Sequence, residues 1–362
     1  MMDNLFDLFD PPKESTDWKW TFVDYPKEKN GLKVFSCFAC GGGSTMGYKL
    51  AGCEVLGCVE IDPKINEIYV KNHHPKHNYC MDLREFNKIS DEQIPEELFN
   101  LDILDGSPPC TTFSTSGLRE ESWGKKKKFR EGQADQTLDD LSFVFIETVK
   151  KLKPKVVIME NVEGLLMGEA WTYVQQIYKD YMDAGYFVHH WLLKGENMGV
   201  PQKRHRVFFV ATRADLGIDP SWLDMSFNYE PVLYEDIKAQ QGRELNPERV
   251  LVKVLQHAQH GDRDLSDTLR RINGKESLFS HRLVYDDEVM PTITAKCEFF
   301  RFPERVGIPN EDIISCQTFP QDYDFGKQSV IYICGMSVPP VMIKRIVLRL
   351  IDQGVFDYAK SV

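Results

Sequence analysis

The sequence lacks any run of about eighteen consecutive apolar residues, so no membrane-spanning helix is expected. The opening Met1-Met2-Asp3-Asn4 lacks the basic-then-apolar layout of a secretory signal, which makes a cytoplasmic location the default. Regular cysteine pairing is missing too: nine cysteines are an odd number, and five fall between Cys37 and Cys80 without a repeating spacing. Cys37 and Cys40 have no second ligand pair downstream, so no metal site is expected. An excess of positive charge is also absent, since the net charge is -11. That average argues against phosphate binding over the whole surface but says nothing of one face. There is no G-x-G-x-x-G glycine pattern, no internal repeat and no low-complexity tract.

What is present is a rhythm of strand and helix. Lys33-Val34-Phe35-Ser36-Cys37-Phe38 predicts a strand, Gly41-Gly42-Gly43 a turn, and Ser44 to Ala51 a helix. Glu54 to Val59 predicts a second strand that ends at Glu60-Ile61-Asp62. Asp62 before Pro63 is a helix start, with the helix running to about Asn72. The alternation continues through strands at Leu101–Leu104, Val156–Met159 and Arg206–Ala211, with helices near Leu138–Leu152 and Trp171–Ala184. Such alternation predicts a doubly wound, mainly parallel α/β sheet. Residues 1–30 form an extension whose Trp18, Trp20 and Phe22 pack it down. Residues 31–213 carry the α/β pattern, and 214–285 are polar and aperiodic, as expected of a smaller lobe. Residues 286–362 are expected to return to the catalytic domain, with regular pattern resuming near Asp312 and ending in an amphipathic helix, Val338 to Ile351, begun by Pro339-Pro340.

Several strand-end loops carry chemistry. Gly106-Ser107-Pro108-Pro109-Cys110 follows one apolar strand and Glu160-Asn161-Val162 ends another. Strand-end loops of a parallel sheet share one edge, so a thiol and a carboxylate on them converge on one substrate. A buried inert cysteine and a helix-capping glutamate are the plainer readings of the two taken singly. The glycine turn lets the backbone approach a ligand, Glu60 offers a carboxylate to both ribose hydroxyls, and Asp82 offers one to an adenine amino group. Arg204 and Arg206 sit at alternate positions on entering a strand, which points both to one side. Between Arg119 and Glu131 six basic residues outnumber three acidic ones, a basic flap directly after the cysteine loop.

In order, these segments resemble the cytosine-C5 DNA methyltransferase family. The blocks are Phe38-Ala39 with Gly42-Gly43, Glu60-Ile61-Asp62, Asp82-Leu83, Pro108-Pro109-Cys110 with Phe113-Ser114, Glu160-Asn161-Val162 and Gln202-Lys203-Arg204-His205-Arg206. Pro291-Thr292-Ile293-Thr294-Ala295, Gln317-Thr318-Phe319-Pro320 and Gly335-Met336-Ser337-Val338-Pro339-Pro340 complete the set, which runs from about residue 32 to 350.

The resemblance implies an S-adenosylmethionine-dependent methyltransferase fold, a doubly wound mixed sheet with a small target-recognition lobe at 214–285. It implies methyl transfer to carbon 5 of a flipped-out cytosine in a specific double-stranded DNA site. Cys110 would add to carbon 6, Glu160 would contact ring nitrogen 3, Arg206 would hold the base's O2, and Arg204 would lie nearby. The cofactor S-adenosyl-L-methionine would meet Phe38, Ala39, Gly41, Gly43, Glu60, Ile61, Asp82, Leu83, Pro109, Leu138 and Ser337. DNA would meet Ser114, Ser116, Arg119, Lys126 and Gln202. A monomer is implied, with a possible cognate restriction endonuclease that forms no stable complex with it. Ser36, Cys40, Thr111 and Met336 depart from the family's usual aspartate, glycine, glutamine and asparagine. A tRNA methyltransferase of the same family and an inactive DNA-binding homologue are the alternative readings.

Overall fold

The computed structural model describes residues 16–109 and 140–357, and Cys110 with the basic flap lies outside them. Two compact units are formed. The larger comprises Tyr25–Leu193, His205–Met225 and Ile343 onward; the smaller comprises the N-terminal residues to Asp24, Lys194–Arg204 and Ser226–Met342.

The larger unit is built on a seven-stranded sheet. Its strands are β1 (Lys33–Cys37), β2 (Glu54–Val59), β3 (His77–Tyr79), β4 (Ile103–Gly106), β5 (Val156–Val162), β6 (Tyr186–Lys194) and β8 (His205–Arg213), with the two-residue β7 (Gln202–Lys203) falling in the other unit. The spatial order is β3-β2-β1-β4-β5-β8-β6. β1 to β5 are parallel to their neighbours and β8 runs antiparallel to β5, so the sheet is mixed. Burial explains the apolar runs: Val34, Phe35, Ile103, Leu104, Val156, Val157 and Ile158 are all fully buried, as central strands covered on both faces require.

Helices α1 (Gly43–Leu50), α2 (Pro63–His73), α3 (Leu83–Lys88), α4 (Leu141–Leu152) and α5 (Trp171–Asp183) fill the connections. Asp62 caps α2 by accepting from the backbone N–H of Lys64 at 2.9 Å, with Pro63 in the first turn where it gives up no helical bond. In α4, Leu141, Phe145, Ile146, Val149 and Leu152 recur at helical spacing and are buried. Phe145 fills the space a side chain at residue 106 would take: a Cβ on Gly106 would stand 2.4 Å from its ring.

The smaller unit holds a three-stranded sheet ordered β12-β11-β9, from β9 (His281–Tyr285), β11 (Glu298–Phe302) and β12 (Val306–Gly307), beside a short β10 (Met290–Pro291)–β7 ribbon. Helices α6 (Tyr234–Ile237), α7 (Val250–Leu255), α8 (Leu265–Asn273), α9 (Asn310–Cys316) and α10 (Val330–Met336) belong to it. The Arg301–Asp312 ion pair, at 2.8 Å, is almost fully buried and shares its carboxylate with the hydroxyl of Tyr234. The aromatics of the N-terminal segment do pack: Trp20 is buried, and its indole N–H donates to the carbonyl of Thr318 at 2.8 Å. The stretch Val330–Asp352 is, against the sequence expectation, apolar and long enough to cross a membrane by composition. It is broken between α10 and α11 (Pro340–Asp352) and mostly buried, as a core helix is.

Candidate active site

The carboxyl ends of β1, β2, β4 and β5 share one edge of the sheet with the amino end of β8, because β8 runs the other way. At that edge lies an open pocket lined by Phe38, Ile61, Asp82, Leu83 and Pro109 together with Val59, Met81 and Leu141. The first five are residues the sequence singles out. The other three are ordinary apolar residues, and only their neighbours mark them.

Around this pocket the glycine turn is tightly built. Gly42 has φ +79°, and a Cβ there would stand 2.1 Å from Nε2 of His73. That ring nitrogen lies 3.1 Å from the carbonyl oxygen of Gly41, and burial pushes the His73 pKa down to about 3, so the imidazole is neutral. Phe38 and Cys40 occupy the left-handed region at φ 57° and 46°, a conformation that costs a residue with a Cβ about 1 kcal/mol. Gly43 opens α1 and is buried, as is Ala39 beside Cys58 and Tyr69.

Glu60 ends the second strand as expected, and its two oxygens accept from the backbone N–H groups of Cys40 (2.8 Å) and Asp62 (2.9 Å). These bonds fix the carboxylate while burial raises its pKa, the larger influence. Asp82 caps α3 through the N–H of Arg84 (2.8 Å) and pairs with that side chain at 3.2 Å. A carboxylate retains acceptor capacity beyond such bonds.

Glu160 and Arg206 are brought together. Val162 faces Arg206 across the β5–β8 ladder, and Arg206 Nε lies 2.8 Å from Glu160 Oε1. Both side chains are largely buried, at 12% and 15% exposure. Arg206 also donates through Nη1 to the carbonyl of His205 at 2.7 Å. Desolvation lowers its pKa and the Glu160 carboxylate opposes that, leaving a buried, paired cation.

Arg204 and Gln202 have other occupations. Arg204 is buried in the smaller unit, where its guanidinium donates to the carbonyls of Ile293 (2.9 Å) and Gly335 (3.2 Å). Within that unit it joins the segment after β10 to helix α10. Gln202, expected at DNA, is fully buried; it donates to Gln317 Oε1 at 2.8 Å and accepts from the N–H of Ile293 at 2.8 Å. Ser337 is also buried there, its carbonyl accepting from Gln317 at 2.7 Å. Cys110, Ser114, Ser116, Arg119, Lys126 and Leu138 lie outside the described residues.

Among the described residues no group of three or more His, Cys, Asp or Glu side chains is placed to hold a metal ion. The pocket has apolar walls at Phe38, Ile61 and Leu83 and one carboxylate, Asp82, held by the backbone N–H of Arg84; Glu60, held by the N–H groups of Cys40 and Asp62, ends the neighbouring strand beside Ile61.

The chain is 34% identical to the Type II methyltransferase M.FnuDI of Fusobacterium nucleatum over 188 residues, which are 52% of this chain and 48% of that protein. It is 27% identical to the Type II methyltransferase M.NgoFVII of Neisseria gonorrhoeae over 369 aligned residues, 92% of this chain and 87% of that one. The matched segment spans about half the length of the first of these relatives. In fold it is similar to a mutant of Spodoptera frugiperda DNMT2, with TM-score 0.62 and 16% identity over 89% of this chain and all of that one. The model of the C-5 cytosine-specific DNA methylase family matches residues 32–352, and the chain belongs to that family.

Proposed function

We propose that this chain is a DNA (cytosine-5-)-methyltransferase that modifies a cytosine turned out of duplex DNA. The observation that carries this reading is the Glu160–Arg206 pair, held at 2.8 Å on the same sheet edge as the pocket wall at Pro109, the residue before Cys110. S-adenosyl-L-methionine, when bound, supplies the methyl group; Phe38, Ile61 and Leu83 would enclose it, with Glu60 at its ribose and Asp82 at its adenine.

Carbon 5 of cytosine is a weak nucleophile. Addition of the Cys110 thiolate to carbon 6 turns it into an enamine carbon able to take a methyl group. The electron pair pushed out by sulfur accumulates on the ring, where Glu160 stabilises it by a proton or hydrogen bond at nitrogen 3. Arg206, already oriented by Glu160, donates to O2. Loss of the carbon 5 proton then expels the thiolate and regenerates the enzyme. Because carbon 6 is covered by neighbouring bases in a duplex, the base must leave the stack. Residues 214–285 supply the choice of DNA site. We propose further that the chain works as a monomer and that any partner nuclease acts separately.

Transfer of labelled methyl groups to unmodified duplex DNA, followed by sequencing that resolves modified cytosines, tests this directly. Label at a fixed short motif, absent with Cys110→Ala, is the expected result. Label in tRNA but not DNA would replace the substrate, and no label in either would remove the activity.

A further inference from the structure

Asp105 lies on β4, the middle strand of the seven, outside the pocket's wall, and is 2% exposed. It stands directly opposite Ser36 in the parallel β1–β4 ladder. Ser36 Oγ donates to its Oδ2 at 2.6 Å and the buried Tyr48 hydroxyl donates to its Oδ1 at 3.1 Å. Ser44 contributes a third hydrogen bond. These donors come from two pieces of the cofactor turn: Ser36 is two residues before Phe38, while Ser44 and Tyr48 lie on α1, which begins at Gly43. Asp105 itself is four residues before Pro109, which also lines the pocket. One carboxylate therefore ties the glycine turn, the first turn of α1 and the strand leading to Cys110.

We propose that Asp105 is a positioning residue for S-adenosyl-L-methionine, holding the glycine turn and α1 in their binding geometry through its ionised form. The inference rests on the pocket being the cofactor site. Only an ionised carboxylate accepts from all three hydroxyls without offering a competing donor. Titratable groups facing it are Cys37 on β1, Tyr48 on α1, Tyr69 on α2 and Glu160 on β5. Burial is the main reason its pKa is raised to about 7, the hydroxyl bonds oppose the rise and Glu160 adds to it. A group with that pKa gains a competing O–H donor as the pH falls below neutral.

The test is calorimetric binding of S-adenosyl-L-methionine from pH 5.5 to 8.5, with wild type, Asp105→Asn, Ser36→Ala and Tyr48→Phe, each checked for folding by circular dichroism. The wild type should weaken about tenfold between pH 8 and pH 6. Asp105→Asn should bind about tenfold more weakly at pH 8 with a flatter profile. Glu60 is present in both proteins, so the difference between their curves isolates Asp105. Ser36→Ala and Tyr48→Phe should each weaken binding about threefold at pH 8. Wild-type affinity and an unchanged profile in folded Asp105→Asn would overturn the role, as would unaltered binding by both hydroxyl variants should Asp105→Asn not fold. A wild type that fails to bind the cofactor at any pH would remove the pocket assignment and this inference with it.

Discussion

Arg206 Nε and Glu160 Oε1 meet at 2.8 Å across two antiparallel strands, and both side chains are largely buried. The pair can form because β8 reverses direction beside β5, which brings the start of one strand to the end of the other. Removing one partner leaves a largely buried charge alone, a loss of roughly 3–5 kcal/mol for fully buried pairs.

Glu160→Gln should reduce the methyl-transfer rate by at least about a hundredfold, the usual scale for a lost stabilising donor. Arg206→Ala should do the same, and the double variant should be little worse than either single one, because both act on the same base. Single-turnover transfer rates for the three proteins test this. Fully multiplicative losses would mean that the two residues act independently.

Gly42→Ala should destabilise the larger unit by about 2 kcal/mol or more. Its Cβ would stand 2.1 Å from the His73 ring in a backbone conformation with φ +79°. Urea denaturation measures it, and a midpoint within error of the wild type would show that the turn shifts freely. The same variant should weaken cofactor binding, since Gly41 and Gly43 flank the displaced residue.

Asp105 also carries a stability prediction, with the sign set by its raised pKa of about 7 against 3.8 for the ordinary carboxyl. Its protonated form favours the fold, so its contribution is full below about pH 4 and is lost as the pH rises through 7. Asp105→Asn stays neutral, and its stability relative to the wild type should grow across that window, by at most on the order of 4 kcal/mol. Denaturation at pH 5 and pH 8.5 measures the change. A residue kept only for stability would show the opposite, with Asn weaker at every pH. Gain of stability together with loss of cofactor affinity is the signature of a group held charged for function.

The sheet was legible where strands are central and apolar. Glu54–Val59 runs as expected, and the Asp62-Pro63 start leads into α2. The fourth strand lies two residues later than Leu101–Leu104 because Asp105 and Gly106, unlike apolar core residues by sequence, are buried within it. β6 at the sheet edge was missed, since Tyr186–Lys194 mixes histidines and lysine with aromatics. The three helices within 234–273 have four, six and nine residues, too short to show a clear period in a charged background. Glu60, Ile61, Asp82 and Leu83 could be found because strand ends identify them. Arg204 and Gln202 could not be sorted by sequence: what buries them, at Ile293, Gln317 and Gly335, lies about 90 to 130 residues away.

In the proposed reaction Cys110 bonds to carbon 6 of a cytosine seated against Glu160 and Arg206. The most direct test uses duplex DNA of mixed sequence in which 5-fluorocytosine replaces cytosine, incubated with S-adenosyl-L-methionine. Fluorine cannot leave as a proton does, so the last step stalls and the protein remains bonded to the base. A denaturation-resistant protein–DNA complex, with the peptide containing Cys110 carrying the nucleotide by mass spectrometry, is the predicted result. It should be absent with Cys110→Ala and form far more slowly with Glu160→Gln. Methyl transfer to ordinary DNA without any such complex, or a complex through another cysteine, would contradict the account.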